Sequence, residues 1–229
     1  MRLGALVIVF SLAACGPNLI DGVLLPDVGV ARFISGVTNP FLPLPVGATW
    51  AYQADTADGL ERVEVEVLAD TRDVNGIEAV QVKDTATLDG TMIEDTTDWY
   101  AQDEAGNVWY LGEDTCEFEA GACASHAGSW EFGVDDALPG WAMPAEPTVD
   151  GQPYFQEYQV GEAEDVGEVM EVGATQDAGG ETFSDCVRTH DTSAIEAAAD
   201  ETKTYCRGVG LVLTVESTGD SALVERAGL

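Results

Sequence analysis

Seven consecutive residues, Glu61-Arg62-Val63-Glu64-Val65-Glu66-Val67, alternate charged and apolar side chains. That period of two puts the valines on one face of an extended segment and the charges on the other, the pattern of a β-strand with one wet face. A helix would scatter both sets around its circumference. Asn75-Gly76 separates this run from Ala79-Val80-Gln81-Val82, which predicts a tight hairpin, because both turn residues tolerate positive φ. Asp98 to Gln102 and Asn107 to Leu111 flank Asp103-Glu104-Ala105-Gly106 as a second hairpin. No stretch carries a sustained helical period with caps; Thr192 to Asp200 is read as a short helix or a loop.

The expectation is a mainly β chain with little helix, built of antiparallel sheets as a sandwich or a curved, half-barrel-like sheet. An internal echo accompanies it. Gly47-Ala48-Thr49-Trp50-Ala51-Tyr52 matches Gly151-Gln152-Pro153-Tyr154-Phe155-Gln156, and Gly179-Gly180 stands where Asn75-Gly76 would fall after an offset of 104 residues. Similar order and spacing suggest a duplicated meander of about five strands. The halves would be 41–112 and 151–229, joined by an irregular segment 113–150 that holds Pro139, Pro144 and Pro147.

At the N-terminus, Arg2 precedes an apolar stretch, Leu3 to Ala14, too short to span a bilayer. It ends in Leu12-Ala13-Ala14-Cys15-Gly16, which resembles the lipobox of bacterial lipoproteins. The resemblance implies a signal peptide over 1–14, lipid on Cys15 and attachment to a membrane. Gly16 after the cysteine implies the outer membrane by the same resemblance, with the protein facing periplasm or exterior. Residues 15–40, interrupted by prolines and glycines, read as a tether, and 41–229 as a single domain.

Four further cysteines remain, and an even number in an exported chain suggests two disulfides, with three connectivities open. Setting Thr182 to His190 against Glu201 to Arg207 in antiparallel register places Cys186 opposite Cys206, Arg188 opposite Thr204 and His190 opposite Thr202. Cys116 and Cys123 would then close a short loop. A zinc site from Cys116, Cys123 and His126 is the competing idea, and its spacing departs from the tight knuckle that structural zinc prefers.

Several segments together resemble a family of uncharacterised secreted and lipid-anchored bacterial proteins. They are Asn39 to Tyr52 (NPFLPLPVGATWAY), Asp98 to Thr115 (DWYAQDEAGNVWYLGEDT), Gly128 to Val169, and Gly208-Val209-Gly210-Leu211-Val212. The resemblance implies one exported domain and brings no activity with it; the pair Cys186 and Cys206 departs from the family's pattern.

Charge narrows the function classes. The 229 residues carry 42 Asp and Glu against 9 Lys and Arg, a formal charge of −33. Phosphate backbones need clustered cations, so nucleic acid is not an expected partner. From Asp84 to Val187 there is no Lys or Arg, so the carboxylates there must be hydrated, raised in pKa or neutralised by metal. One explanation is a generally solvated acidic surface adapted to salt. The other is a calcium site, for which Glu157, Glu162, Glu164 and Asp165 form the densest cluster. Trp99-Tyr100 and Trp109-Tyr110 place neighbouring rings on opposite faces of one hairpin. One set could be core and the other a platform for saccharide, or both could be packing.

Catalytic motifs are sparse: there is no phosphate-loop, HExxH, CxxC or GxSxG pattern, and neighbouring Ser125 and His126 cannot pair as nucleophile and base. The leading expectation is a lipid-anchored envelope protein with a non-catalytic binding or scaffolding role toward a saccharide, lipid or protein. The alternatives are a calcium- or saccharide-binding module and an envelope hydrolase using an Asp/Glu pair.

Overall fold

The computed structural model describes residues 18–195 and 199–229. Cys15 and the expected signal lie outside the described residues, as do residues 196–198 of the stretch Thr192 to Asp200 read as a short helix or a loop. The first five long strands follow one another as hairpins: β1 (Thr49–Thr56), β2 (Gly59–Val74), β3 (Ile77–Leu88), β4 (Thr91–Asp103) and β5 (Val108–Glu119). After β6 (Leu138–Met143), which pairs with β5, a second meander runs through β7 (Asp165–Ala178), β8 (Glu181–Ser193), β9 (Asp200–Cys206), β10 (Gly210–Glu216) and β11 (Gly219–Ala227). The long pairings are all antiparallel, as the alternating pattern predicts.

Curvature carries the sheet round to a closed circuit. β11 pairs with β1 from Ala222↔Gln53 to Ala227↔Thr49. On the opposite side, Tyr154–Phe155 pairs with β7 and Glu157–Tyr158 pairs with β6, so one short segment bridges the two meanders. Closure gives each long strand a partner on both sides over part of its length, which limits the usual liability of a large sheet, while β7 beyond Gly167 and β2 beyond Val67 are paired on one side only. Gly140 permits this seam: a Cβ there would run into the Phe155 carbonyl, so only glycine lets the two backbones approach.

Hairpin chemistry works as read. Asn75 and Gly76 have φ of 52° and 84°, and Gly179 and Gly180 have 53° and 83°, both the type I′ signature. Cys186 stands opposite Cys206, Arg188 opposite Thr204 and His190 opposite Thr202. Both expected disulfides, Cys116–Cys123 and Cys186–Cys206, are formed. Among the described residues the helical content is one 3-10 turn, Val28–Val30; Thr192 and Ser193 end β8, and Asp200 begins β9.

Two expectations need correction. Residues 113–150 are not an irregular connection: β5 continues to Glu119, Ala122–Ser125 pairs back on it, and β6 completes the ring. Prolines 139 and 144 disguise β6 in the sequence, since proline weakens a strand reading. Nor is the described part of 15–40 a free tether. Val23–Leu24 meets Tyr154, Phe33–Ile34 pairs with the end of β4, and Leu25 and Val37 are buried.

Two apolar clusters lie on opposite faces of the wall. Inside the ring, Trp50, Tyr52, Val67, Val82, Tyr154, Val187, Tyr205 and Val212 share the main core. Outside β2 to β5, Val74, Ala79, Trp99, Ala101, Trp109 and Leu111 form a second cluster, covered by Val28, Ala31, Phe33 and Phe132. The covering segment from Val28 to Phe33 explains why alternation fails to expose this face to water.

Candidate functional site

The register of the strands decides which side chains point inward. Val82, Asp98 and Glu113 stand on one cross-strand rung, and Asp84, Thr96 and Thr115 on the next. These residues share their face with Tyr100 and Tyr110, whose rings stack at 5.0 Å and 18°. Together with the other wall they enclose a cavity of about 610 Å³, a size suited to a small organic molecule.

The lining changes character along the ring. At the end bearing the Asn75-Gly76 and Arg207–Val209 turns it is apolar, with Leu42, Leu44, Trp50, Ala142 and Leu211. Trp50 Nε1 donates to the Val209 carbonyl at 2.8 Å, and Tyr52 Oη donates to the Leu211 carbonyl at 3.1 Å, so both rings are fixed across the interior. At the other end Glu61, Glu94 and Glu216 are only partly buried. Between them lie Asp84, Asp98, Glu113, Glu157 and Asp165, with Lys203 as the one basic side chain of the lining.

Lys203 is committed to the far wall, 3.4 Å from Asp191 and 3.0 Å from Glu201. Burial pulls its pKa down, but Asp191, Tyr205 and Glu201 outweigh that and hold it well above the ordinary lysine value. Lys83 lies outside the cavity lining and pairs with Asp95; its charge lowers Asp84 and Asp98, but by less than burial raises them. Within the lining the near-wall carboxyls face one another without a cation among them. Burial pushes Glu113 up to about 8, with Asp98 adding to the shift. Burial likewise raises Asp84 to about 7, assisted by Glu94 and Glu113. Asp98 also rises to about 7 through burial, although Tyr110 Oη donates to its Oδ1 at 2.6 Å and opposes the change. Glu157, 8% exposed, is raised well above its usual range by burial and then by Asp165 and Glu113.

A hydrogen-bond chain links two of these groups. Thr96 Oγ1 donates to Glu94 Oε1 at 3.0 Å, and Thr115 Oγ1 donates to Glu113 Oε2 at 3.1 Å, while the two hydroxyls lie 2.8 Å apart. Each hydroxyl has a single proton, so two protons serve three contacts. All three are hydrogen bonds only when one carboxyl is protonated and itself donates into the chain. Glu113, pushed up to about 8 by burial, is the natural holder of that proton.

The expected site residues are placed as follows. Glu157 and Asp165 line the cavity, whereas Glu162 and Glu164 belong to a turn outside its lining, with Glu164 Oε1 accepting from the Gly161 amide at 2.7 Å. Among the described residues, no three His, Cys, Asp or Glu side chains converge as a metal set. Trp99 and Trp109 are 4% and 2% exposed, in the outer cluster, so neither forms an open platform. Tyr100 and Tyr110 face the cavity instead. His126 stands 3.4 Å from Cys123 Sγ, and both cysteines are in disulfides. Asp84, Glu94, Asp98 and Glu113 were not singled out from the sequence. For Glu94 and Asp98 the signal is parity with Tyr100, whereas Glu113 has the opposite parity to Tyr110 and reaches the same face only through the irregularity at Gly112.

A scan against protein-family models, a search of curated proteins and a search of solved structures each returned no match. The chemistry of the cavity therefore carries the functional reading.

Proposed function

We propose that the protein is a non-catalytic binding protein of the bacterial envelope, anchored by lipid on Cys15, whose barrel interior receives a small molecule. The observation that carries this reading is the cavity of about 610 Å³, apolar at one end and acidic at the other. Such a gradient orients a ligand with one apolar and one polar end, and the fixed Trp50 and Tyr52 rings give it a preformed wall. The lipobox-like string at Cys15 supports the anchor.

Ala86 lies in the cavity wall with its side chain buried, so Ala86→Trp fills the space from within. Thermal unfolding of parent and variant is compared across a panel of amines, saccharides, fatty acids and calcium. A ligand at 100 times its Kd stabilises by about 2.7 kcal/mol, and this gain should appear in the parent and vanish in Ala86→Trp. Stabilisation that persists in the variant contradicts an interior site, as does a panel without any gain. For the anchor, Cys15→Ser should move the protein out of the membrane fraction; unchanged partitioning contradicts it.

A further inference from the structure

Resting on the reading of the barrel interior as a binding site, we propose that its ligand is an organic ammonium ion with an apolar body, taken up in exchange for the proton held along the Glu113–Thr115–Thr96–Glu94 chain. Three independent features converge on it. The near wall presents carboxyls with no cation among them, and Lys203 is tied to Asp191 and Glu201 across the cavity. Glu157 is a carboxyl that is more than nine-tenths buried and lies in the cavity wall, with the Trp130 indole as its side-chain hydrogen-bond neighbour and no cation beside it in the lining of the near wall. The stacked Tyr100 and Tyr110 rings stand on the rung next to Asp98 and Glu113, so an ammonium group there meets carboxylate oxygens and aromatic faces together.

The apolar end then accounts for the rest of the ligand. Leu42, Leu44, Trp50 and Leu211 line the apolar end, where a hydrated metal ion would gain nothing and a hydrocarbon body gains burial. A neutral polyol could accept and donate hydrogen bonds in the same space, but it would leave the clustered acids uncompensated.

Charge balance fixes the form of the exchange. With Glu113 protonated, its 3.1 Å contact with Thr115 Oγ1 runs in the opposite sense to that of the carboxylate: Glu113 would donate to Thr115, Thr115 to Thr96, and Thr96 to Glu94. When R–NH3+ arrives beside Glu113, its positive charge favours the carboxylate, and a proton leaves to solvent along the same hydroxyls toward the half-buried Glu94. The interior gains one cation and loses one, and no bond of the ligand is broken. The groups facing Glu113 set the pH range. They are Asp98 and Glu94 from β4, Asp84 from β3, Tyr110 and Thr115 on β5, Glu157 and Asp165 across the seam, and Lys203 with Glu201 on β9. Asp84 and Asp98 also hold protons near neutrality.

The test is calorimetric titration of the purified protein at pH 7 with 2-phenylethylammonium and choline, against the neutral 2-phenylethanol and against calcium. Each is run in two buffers of different ionisation heat, so that protons are counted. At least one ammonium probe should bind about tenfold or more tighter than the alcohol, releasing about one proton per ion. Glu113→Gln places an amide donor where the protonated acid donates, and should lower the release by about one proton. Asp98→Asn, at a carboxyl outside the chain, should weaken ammonium binding while the Glu113 proton is still released, which keeps the test valid if Glu113→Gln fails to fold. Equal binding of 2-phenylethanol overturns the ammonium class and leaves interior binding standing. Proton release by calcium with neither ammonium probe bound, ammonium binding without proton release, or no binding by either ammonium probe overturns the proposal. Ammonium binding that survives in Ala86→Trp instead overturns the interior site itself.

Discussion

Asp103 and Glu113 are both carboxylates withdrawn from bulk water, and their surroundings differ in kind. Asp103 accepts from the Gly106 and Asn107 amides at 2.9 Å, and from Asn107 Nδ2 and Trp109 Nε1 at 2.8 Å. Glu113 has only the Thr115 and Tyr110 hydroxyls beside it, among acidic neighbours. For Glu113, Asp98 and Asp84 the folded pKa lies above the unfolded one, so the fold binds more protons than the unfolded chain between about pH 4 and pH 8. The sign is then set: their contribution is complete below the unfolded pKa and is lost as pH rises through the folded values. Stability should therefore climb as pH falls from 8 toward 5, the reverse of the usual acid destabilisation by paired carboxylates. Each kcal/mol moves the melting temperature of a chain of this size by about 2–4 °C. Glu113→Gln should melt above the parent at pH 8.5 and close to it at pH 5. A melting temperature flat across that range, or a variant less stable at pH 8.5, contradicts a proton on Glu113.

At the scale of elements, the turn between β4 and β5 ties the hairpin to the chain that closes the apolar end. Asn39 is buried, accepts from the Phe41 amide at 2.8 Å and donates to the Gly106 carbonyl at 2.9 Å. Gln102 Oε1 accepts from the Thr38 and Asn39 amides. Asp103→Ala removes four accepted hydrogen bonds and leaves the Trp109 indole N–H buried without a partner. It should cost about 3 kcal/mol or more by chemical denaturation; a loss under about 0.5 kcal/mol would show that water replaces the carboxylate. The hairpins themselves were legible because their turns are local: Asn75-Gly76 and Gly179-Gly180 demand positive φ, and alternation sets the faces on either side. The same alternation aligned Cys186 with Cys206. β6 was not legible, because Pro139 and Gly140 look like loop residues until Phe155 is seen to need the space.

Over the whole molecule, what could not be read was closure. It depends on pairing Thr49 with Ala227 and Pro139 with Glu157, contacts that no local spacing encodes. Without closure, Asp84, Asp98 and Glu113 resemble any acids on a solvated strand face, and Glu157 with Asp165 resembles half of a calcium cluster. The net charge of −33 then takes on two roles. Most of it stands outside, where Arg62, Arg72, Arg188, Arg207 and Arg226 pair with partly exposed carboxylates, contacts that individually contribute about 0–1 kcal/mol. A smaller share is folded inward and partly neutralised by protons, which turns a bulk property into a local chemical one.

The central claim is that these interior carboxyls hold protons at neutral pH, ready to be displaced by a cation. Carbon-detected NMR of the Asp and Glu side-chain carboxyls across pH 3 to 9 tests it most directly. Glu113 should titrate near 8, and Asp84 and Asp98 near 7, apart from the main group of carboxyls near 4. If all three titrate with that main group, the interior is an ordinary hydrated acidic surface and the account fails.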